Sequence, residues 1–340
     1  MQIAQNLCKS RPPPALRIGG RLLAGRAFLA PMSGVSDLAM RRIAMRFGAA
    51  LAPSEMVACE SFVAGEREAS LRAEGEGVNP HVVQIVGRDA AAMRSAALLA
   101  QDCGAEIVDI NMGCPAKRVA GALAGSALMR DLDHALRIIE AVVGAVSTPV
   151  TVKMRLGWDG ATCNAPELAR RAEQAGVALL TVHGRTRQQF YDGRADWPAI
   201  RAIVEAVRIP VVANGDCMGA SDAAAMLSAS GASGVMIGRA AVGAPWLVGQ
   251  VSNSLANGVL PVEIPAMLKL GAALEHFEYL VGALGAFAGL RHARKHLSAY
   301  AQKAGAPERL RLALVTSQDL GEVRDLLWRA FDCGDRREAA

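Results

Sequence analysis

The stretch EIVDINMGCPAKR, residues 106–118, is an apolar run that ends in polar residues, a glycine and a proline. Its first part predicts a buried strand, and the Gly-Cys-Pro predicts a sharp turn out of that strand. Seven similar runs alternate with segments that carry apolar residues at helical spacing. The predicted strands are AFLAP (27–31), LAPSEMV (51–57), HVVQIVG (81–87), EIVDINMG (106–113), PVTVKMR (149–155), LLTVHGR (179–185), PVVANGD (210–216) and GVMIGR (234–239).

The alternation of buried strands and helices indicates a parallel sheet. Eight such units within about 220 residues fit a closed barrel better than an open doubly wound sheet, because no G-x-G-x-x-G follows the first strand. We therefore predict an α/β fold, a (β/α)8 TIM barrel over residues 1–257. The linker GVLPVEIP (258–265) leads into an all-helical domain over residues 262–340, where strand patterns are absent.

The composition excludes a disordered chain, since 52% of the residues are hydrophobic and only 20% are charged. Seven cysteines without a C-x-x-C pair predict neither a disulfide framework nor a zinc site, and we expect no metal. The N-terminus lacks the apolar segment of a signal peptide, and no run is long enough to cross a bilayer. We expect a cytoplasmic monomer without membrane contact.

The carboxyl ends of barrel strands form the active site in TIM barrels, and polar residues are plentiful at the predicted ends. They are Met32 and Ser33 after the first strand, Glu55, Gln84, Asn111 and Cys114, Lys153 and Arg155, His183 and Arg185, Asn214 and Asp216, and Arg239 at the end of the eighth. Buried polar groups need partners, so this clustering predicts a site.

The eighth strand ends in MIGRAAVGAPW (236–246), where a glycine precedes a helix start. Backbone N–H groups and the helix dipole at such a position attract phosphate. Together with NGD (214–216), this segment predicts the phosphate site that many barrels form in their last two βα loops. The alternative is that the glycines only close a tight turn.

Three side chains on the strands allow more than one use. Lys153 could be a Schiff-base nucleophile as in aldolases, a cation beside a cofactor that becomes anionic on reduction, or the partner of Glu55 or Asp109 in an ion pair. Gln84 could donate to a flavin edge or be a satisfied core amide. His183 precedes two arginines in HGRTR, which favours an anion or nucleobase contact over a core histidine.

Cys114 lies between the strand and a loop that contains two glycines and a basic pair, and such a loop can act as a lid. Its thiol could be a nucleophile, a metal ligand or a proton donor. The sequence contains no His/Asp arrangement that selects the first and no cluster that supports the second. Cys59, Cys103, Cys163 and Cys217, in contrast, have the surroundings of small apolar core residues.

The motifs APMSGVSD, SEMV, QIVG, DINMGCPAKRVAGALAGSALM, KMRLGW, HGRTRQQFYDGRADW, VVANGD and MIGRAAVGAPW together resemble the tRNA-dihydrouridine synthases, and most closely their bacterial B-type branch. The similarity covers residues 15–250. GLRHARKHLSAY (289–300) resembles the basic helix of that family's C-terminal domain, and it lies in a locally basic stretch of a chain whose net charge is only +5.

The resemblance implies an FMN-dependent reduction of the C5–C6 bond of a tRNA D-loop uridine, at position 17 in this branch, with NADPH or NADH as the reductant. Cys114 would be the general acid that protonates C5. The cofactor-binding residues would be Pro31, Met32, Ser33, Gln84, Lys153, His183, Asn214, Gly215, Asp216, Gly238 and Arg239. Asn111 and Arg185 would read the extruded base, while Arg291, Arg294 and Lys295 would bind the RNA backbone.

Two other functions stay open at this stage. One is another FMN barrel oxidoreductase of the dihydroorotate dehydrogenase type, which also carries a cysteine at a strand end. The other is a tRNA-binding protein whose barrel has lost catalysis.

Overall fold

A computed structural model of the chain describes residues 16–331. Cys8 and Cys333, and the outer ends of both predicted domains, lie outside this range. The described part begins with a two-stranded antiparallel hairpin, β1 (Arg17–Ile18) and β2 (Arg21–Leu22). Leu16 and Ile18 of this hairpin are buried against the amino-terminal end of the sheet that follows.

Eight parallel strands form one sheet in the order β3-β10-β9-β8-β7-β6-β5-β4. They are β3 (Ala27–Leu29), β4 (Val57–Ala58), β5 (Val82–Val86), β6 (Ile107–Met112), β7 (Val150–Arg155), β8 (Leu179–His183), β9 (Val211–Asn214) and β10 (Gly234–Ile237). An isolated parallel bridge joins Phe28 of β3 to Leu51, in the segment that leads into β4, and so links the two edges of the sheet. The sheet therefore closes on itself, and the predicted (β/α)8 barrel is confirmed.

The second strand is shorter than predicted. The sequence predicts a strand over residues 51–57, but regular pairing is confined to β4. Leu51 accepts a hydrogen bond from Leu29 (2.8 Å), whereas Ser54 donates to Val82 on the other side (2.9 Å). Pro53 lies between them and has no N–H, so the segment changes partners there and forms no continuous ladder.

Helices follow the strands and cover the barrel. They are α1 (Leu38–Arg46), α2 (Cys59–Val63), α3 (Arg67–Ala73), α4 (Ala90–Asp102), α5 (Lys117–Ala120), α6 (Leu132–Val143), α7 (Ala165–Gln174), α8 (Arg201–Ala206), α9 (Ala220–Ser230) and α10 (Trp246–Asn257). In α6 the buried residues Ala135, Ile138, Ile139 and Val142 follow the i, i+3, i+4, i+7 pattern of a helix with one apolar face. The Asp131 side chain caps its first turn.

Four further helices pack beside the barrel and share an apolar core of their own. They are α11 (Ala266–Leu284), α12 (Ala286–Lys303), α13 (Glu308–Thr316) and α14 (Leu320–Ala330). Ile43 of α1 and Trp246 of α10 belong to the same core, so the helical region is packed onto the barrel. Within residues 16–331, no helix combines the length and apolarity that crossing a membrane requires.

The cysteine predictions are half wrong. Cys59 and Cys217 are buried, as expected of core residues, but Cys103 and Cys163 are exposed. Cys103 follows the last turn of α4, beyond the buried Ala100, and Cys163 lies in the loop before α7. One position is in a turn and the other in a loop, where apolar neighbours in the sequence do not make a side chain buried.

Candidate active site

A cavity of about 780 Å³ opens at the carboxyl ends of the barrel strands. Its wall contains Cys114, Asn111 and every residue that the sequence assigns to cofactor binding. These are Pro31, Met32, Ser33, Gln84, Lys153, His183, Asn214, Gly215, Asp216, Gly238 and Arg239. Arg185, Arg291, Arg294 and Lys295 were predicted to contact substrate but are not among the residues that line this cavity.

The loop that carries Cys114 is fixed from both sides. Asn111, at the end of β6, accepts hydrogen bonds from the backbone N–H groups of Gly113 (3.2 Å) and Cys114 (2.9 Å). The Ser126 hydroxyl donates to the Cys114 carbonyl (2.8 Å). Burial raises the pKa of the Cys114 thiol above its ordinary value, so the sulfur carries a proton at neutral pH.

A chain of polar side chains crosses the cavity floor and ends at this loop. Thr151 and Gln84 both donate to the buried Asp109 carboxylate, each at 2.6 Å. The Asn111 amide in turn donates to the Gln84 carbonyl oxygen (2.8 Å). Each of the two amides uses one of its two N–H groups within the chain, which leaves the other for a ligand in the cavity. Burial raises the pKa of the Asp109 carboxyl, and the bonds from Gln84 and Thr151 oppose that shift.

Lys153 extends from β7 into the cavity wall. Its ammonium group donates to the Asn214 side-chain oxygen (3.0 Å), and Asn214 itself donates to the Met236 carbonyl (2.9 Å). Burial, aided by the nearby Arg155, lowers the Lys153 pKa to about 8. Among residues 16–331 no carboxylate forms an ion pair with it, so neither predicted pairing, with Glu55 or with Asp109, is present.

Glu55 has a different task from the one considered for it. Its carboxylate accepts a hydrogen bond from the Gly34 N–H and lies 4.0 Å from Arg72. Gly34 follows Met32 and Ser33 in the loop after β3. Glu55 therefore holds the first loop of the cavity in place.

Asp216 connects two arginines at the edge of the cavity. Arg185 donates to both of its carboxylate oxygens (2.6 and 3.0 Å), and Arg239 donates to one of them (2.9 Å). Partial burial opposes ionisation, but the bonds from Arg185 and from the Ala195 N–H hold the pKa of the Asp216 carboxyl below its ordinary value. Arg185 is only 1% exposed, so its guanidinium is already engaged with protein groups.

Arg239 and His183 complete this edge. The Arg239 side chain is 62% exposed and keeps donors for an anion beyond its bond to Asp216. Burial, with the neighbouring cations, lowers the pKa of His183 well below its ordinary value, so its ring is neutral. Gly215 adopts a φ of +119°, and a Cβ there would lie 2.7 Å from Ala195, so only glycine suits this turn.

Sequence reasoning missed two basic residues of the site. Arg155 was noted at a strand end without a role, yet its guanidinium donates to the carbonyls of Gly113, Thr186 and Phe190 at 2.8–2.9 Å. It thereby joins the Cys114 loop to the loop after β8. Lys303, at the end of α12, also lines the cavity. Nothing local in the sequence could have placed Lys303 there, because the contact depends on how the tail packs.

The basic residues of α12 lie beside the cavity. Arg291 and Lys295 are exposed, and Arg294 is half-buried. Lys295 Nζ lies close to Gly34, in the same loop as Met32 and Ser33. The helix therefore presents positive charge next to the mouth of the barrel, although these residues do not enter it.

Comparison with known proteins identifies relatives of similar length. The chain is 48% identical to a "Probable tRNA-dihydrouridine synthase" of Rhizobium leguminosarum bv. phaseoli, over 93% of this chain and 98% of that protein. It is 50% identical to a protein of the same description from Rhodobacter capsulatus, over 92% and 95% of the two chains. A "tRNA-dihydrouridine synthase B" of Xanthomonas axonopodis pv. citri is 46% identical over 84% and 87%.

Solved structures share the barrel at low identity. Histamine dehydrogenase from Rhizobium sp. 4-9 matches with a TM-score of 0.56 and 13% identity, over 78% of this chain and 51% of that one. Morphinone reductase in complex with tetrahydroNAD matches with a TM-score of 0.51 and 15% identity, over 77% and 94%. These likenesses show the fold alone.

Fold and site together define a flavin-dependent oxidoreductase built on a TIM barrel. The sequence profile of the family "Dihydrouridine synthase (Dus)" matches residues 28–331. The chain belongs to the dihydrouridine synthase family. The resemblance inferred from the motifs is thereby confirmed.

Proposed function

We propose that the protein uses FMN to reduce the C5–C6 bond of a uridine in tRNA, giving 5,6-dihydrouridine. The observation that carries this proposal is the composition of one cavity wall. A protonated thiol, Cys114, shares that wall with the half-buried cation Lys153 and the anion-binding side chain of Arg239. The reaction requires three things of a protein: a proton donor, a cation beside the reduced flavin ring and a side chain that binds the FMN phosphate.

The residues present fit FMN. The volume of about 780 Å³ lies in the range of cofactor sites. Lys153 spends one of its three N–H groups on Asn214 and can give another to an anionic ring. Arg239 would bind the phosphate, and Gln84 and Asn111 would use their remaining N–H groups. When bound, FMN supplies the reducing equivalents, which we propose it takes from NADPH or NADH.

Cys114 acts as the proton donor. Its pKa is raised by burial, and no base lies within hydrogen-bond distance of its sulfur among the described residues, so the thiol is not primed for nucleophilic attack. A protonated thiol held at the cavity wall can deliver its proton to C5 of a uracil that enters the cavity. Asn111 and Arg155 fix the loop, and they therefore fix the position of that proton.

The substrate must enter as an unstacked nucleotide. A uridine in folded tRNA has to leave its stack to reach the end of the barrel, and the positive charge of α12 lies where the flanking backbone would pass. We place Arg291, Arg294 and Lys295 against the RNA backbone. We assign the D-loop uridine at position 17 as the target, a monomer as the working unit and the cytoplasm as its compartment. Arg185 orients Asp216 and the neighbouring loop.

The test uses unmodified tRNA transcripts, the purified protein and either NADPH or NADH. We expect a yellow protein that binds FMN, and the conversion of one uridine per tRNA to dihydrouridine. The mass of the tRNA should rise by two hydrogen atoms, and nuclease digestion with mass spectrometry should map the change to position 17. A colourless protein that cannot be reconstituted with FMN would contradict the cofactor assignment. Dihydrouridine at another position would contradict only the choice of nucleotide.

A further inference from the structure

Three histidines and one aspartate meet where the helical region packs against the first loop of the barrel. Asp37 caps α1 just after that loop, His276 belongs to α11, and His292 and His296 belong to α12. Ligand atoms of Asp37, His292 and His296 all lie within 4.8 Å of one another. None of these four residues lines the catalytic cavity.

His296 has a buried nitrogen that lacks a partner. Its side chain is 3% exposed, and Nε2 forms no hydrogen bond. The nearest carboxylate oxygen, Asp37 Oδ2, lies 3.6 Å away, too far for a hydrogen bond. A buried imidazole nitrogen that has no hydrogen-bond partner and lies beside a carboxylate is unusual unless a ligand completes it.

The spacing along α12 suits a metal. His292 and His296 are four residues apart, which places both rings on one face of the helix. The i, i+4 histidine pair is a common zinc-ligand arrangement on helices, and a carboxylate often supplies the third ligand. In a tetrahedral site with bonds of about 2.0–2.1 Å, ligand atoms lie roughly 3.3 Å apart. The observed separations require only a small inward movement, which the half-buried His292 can make.

His276 supports the carboxylate from behind. Its Nε2 lies 2.9 Å from Asp37 Oδ2, and its Nδ1 lies 3.1 Å from the Tyr300 hydroxyl. Because a carboxylate can only accept, His276 Nε2 carries the proton, and Tyr300 then donates to Nδ1. The oxygen has a second lone pair on the side of His296. A histidine that donates to a ligating carboxylate is the outer-shell arrangement that orients metal ligands.

We propose that Asp37, His292 and His296 bind one divalent transition-metal ion, with Zn²⁺ as the best match to two imidazoles and a carboxylate. Water would take the fourth position on the exposed side of His292. The ion would connect α12 to the loop that carries Met32 and Ser33, so it would fasten the helical region to the edge of the cavity. Our sequence expectation of no metal rested on cysteine spacing and overlooked this histidine pair.

The test measures metal binding directly. Tag-free, full-length holoenzyme is dialysed against a chelator, then titrated with ZnCl₂ by calorimetry and with CoCl₂ by visible absorption. We expect one ion per chain, a Zn²⁺-dependent rise in Tm, and cobalt bands of a tetrahedral nitrogen and oxygen site. His292→Gln should weaken binding by at least about tenfold, and His276→Gln by about 10- to 100-fold.

His134→Gln is the matched control, because His134 lies on α6, away from the cluster, and the hydrogen bonds that its ring forms among the described residues are with Arg88 and Arg137. It should bind zinc like the wild type. His292 is half-buried at the rim of the cluster, so its substitution should leave the fold intact, which circular dichroism checks. Three results would overturn the proposal: no binding, equal affinity in His292→Gln, or a thiolate-to-cobalt charge-transfer band, which would assign the ion to cysteines.

Discussion

At the level of single residues, the proposed chemistry depends on the protonation state of Cys114. The thiol lies in a loop held by Asn111 and Arg155, and burial disfavours the thiolate. Many reactive cysteines have the opposite property, a pKa lowered by a neighbouring cation or helix. Here Lys153 and Arg155 oppose the effect of burial without overcoming it. A thiol in this state suits the proposed role of proton donor and does not suit that of a nucleophile.

This protonation state can be measured by alkylation. Iodoacetamide reacts with the thiolate, so the rate of Cys114 alkylation should rise with pH and reach its midpoint above 9.0, the ordinary value from which burial raises the pKa. Mass spectrometry of the Cys114 peptide from cofactor-free protein gives the rate at each pH. A midpoint at or below 9.0 would mean that the neighbouring cations outweigh burial.

Lys153 gives a second prediction at this scale. Replacing it with Met keeps the length of the side chain and removes the charge. A charge-assisted hydrogen bond contributes about 1.5–3 kcal/mol, so the Kd for FMN should rise by roughly 10- to 150-fold. Lys269→Met is the control, since Lys269 pairs with Glu263 outside the cavity. Quenching of FMN fluorescence measures both, and an unchanged Kd would remove Lys153 from the cofactor site.

At the level of elements, the order of strands and helices could be predicted because each element depends on the pattern of residues within its own segment. Apolar runs between helical patterns give eight strands, and parallel pairing brings their polar ends to one edge. For this reason the residues at the strand ends, from Gln84 to Arg239, can be assigned to a shared cavity from the sequence alone. The length of β4 could not be predicted in this way. It depends on which neighbouring strand each residue on either side of Pro53 pairs with.

Arg185 illustrates what local patterns miss. Its place in HGRTR suggests a free donor for a base, but Asp216, 31 residues later in the loop after β9, binds its guanidinium. The pairing connects the loop after β8 to the loop after β9, and nothing in either segment alone specifies it. The position of Lys303 and the meeting of Asp37 with three distant histidines escaped prediction for the same reason.

The Arg185–Asp216 pair has a measurable consequence. Asp216→Ala leaves the Arg185 guanidinium, which is 1% exposed, without its carboxylate partner. Breaking a buried ion pair lowers the free energy of unfolding by about 3–5 kcal/mol. We expect about 3 kcal/mol here, the low end of that range, because Asp216 is partly exposed. Urea unfolding should show this loss. Asp192→Ala, at an exposed position of the loop after β8, should change the free energy of unfolding little. Equal stability of the two variants would contradict the account of this loop pair.

At the level of the whole molecule, the barrel contains the candidate active site, and α12 of the helical region places positive charge beside the opening of the cavity. If α12 binds RNA, substituting Arg291, Arg294 and Lys295 with Gln should weaken tRNA binding and reduce the slope of log K against log salt by about 2–3. Filter binding at several salt concentrations gives that slope. A matched triple variant of exposed arginines on barrel helices or loops, Arg94, Arg170 and Arg208, should keep it. Equal slopes would remove α12 from the interface.

In the proposed reaction, Cys114 delivers a proton to a uracil that enters the cavity. The most direct test is a single turnover, in which pre-reduced enzyme is mixed with unmodified tRNA and dihydrouridine is quantified over time. Cys114→Ala should still bind FMN, accept electrons from NADPH and bind tRNA, but form product about 10²–10⁴ times more slowly. Cys103→Ala, an exposed cysteine far from the cavity wall, serves as the control. Product formation by Cys114→Ala at the rate of the control would contradict the claim.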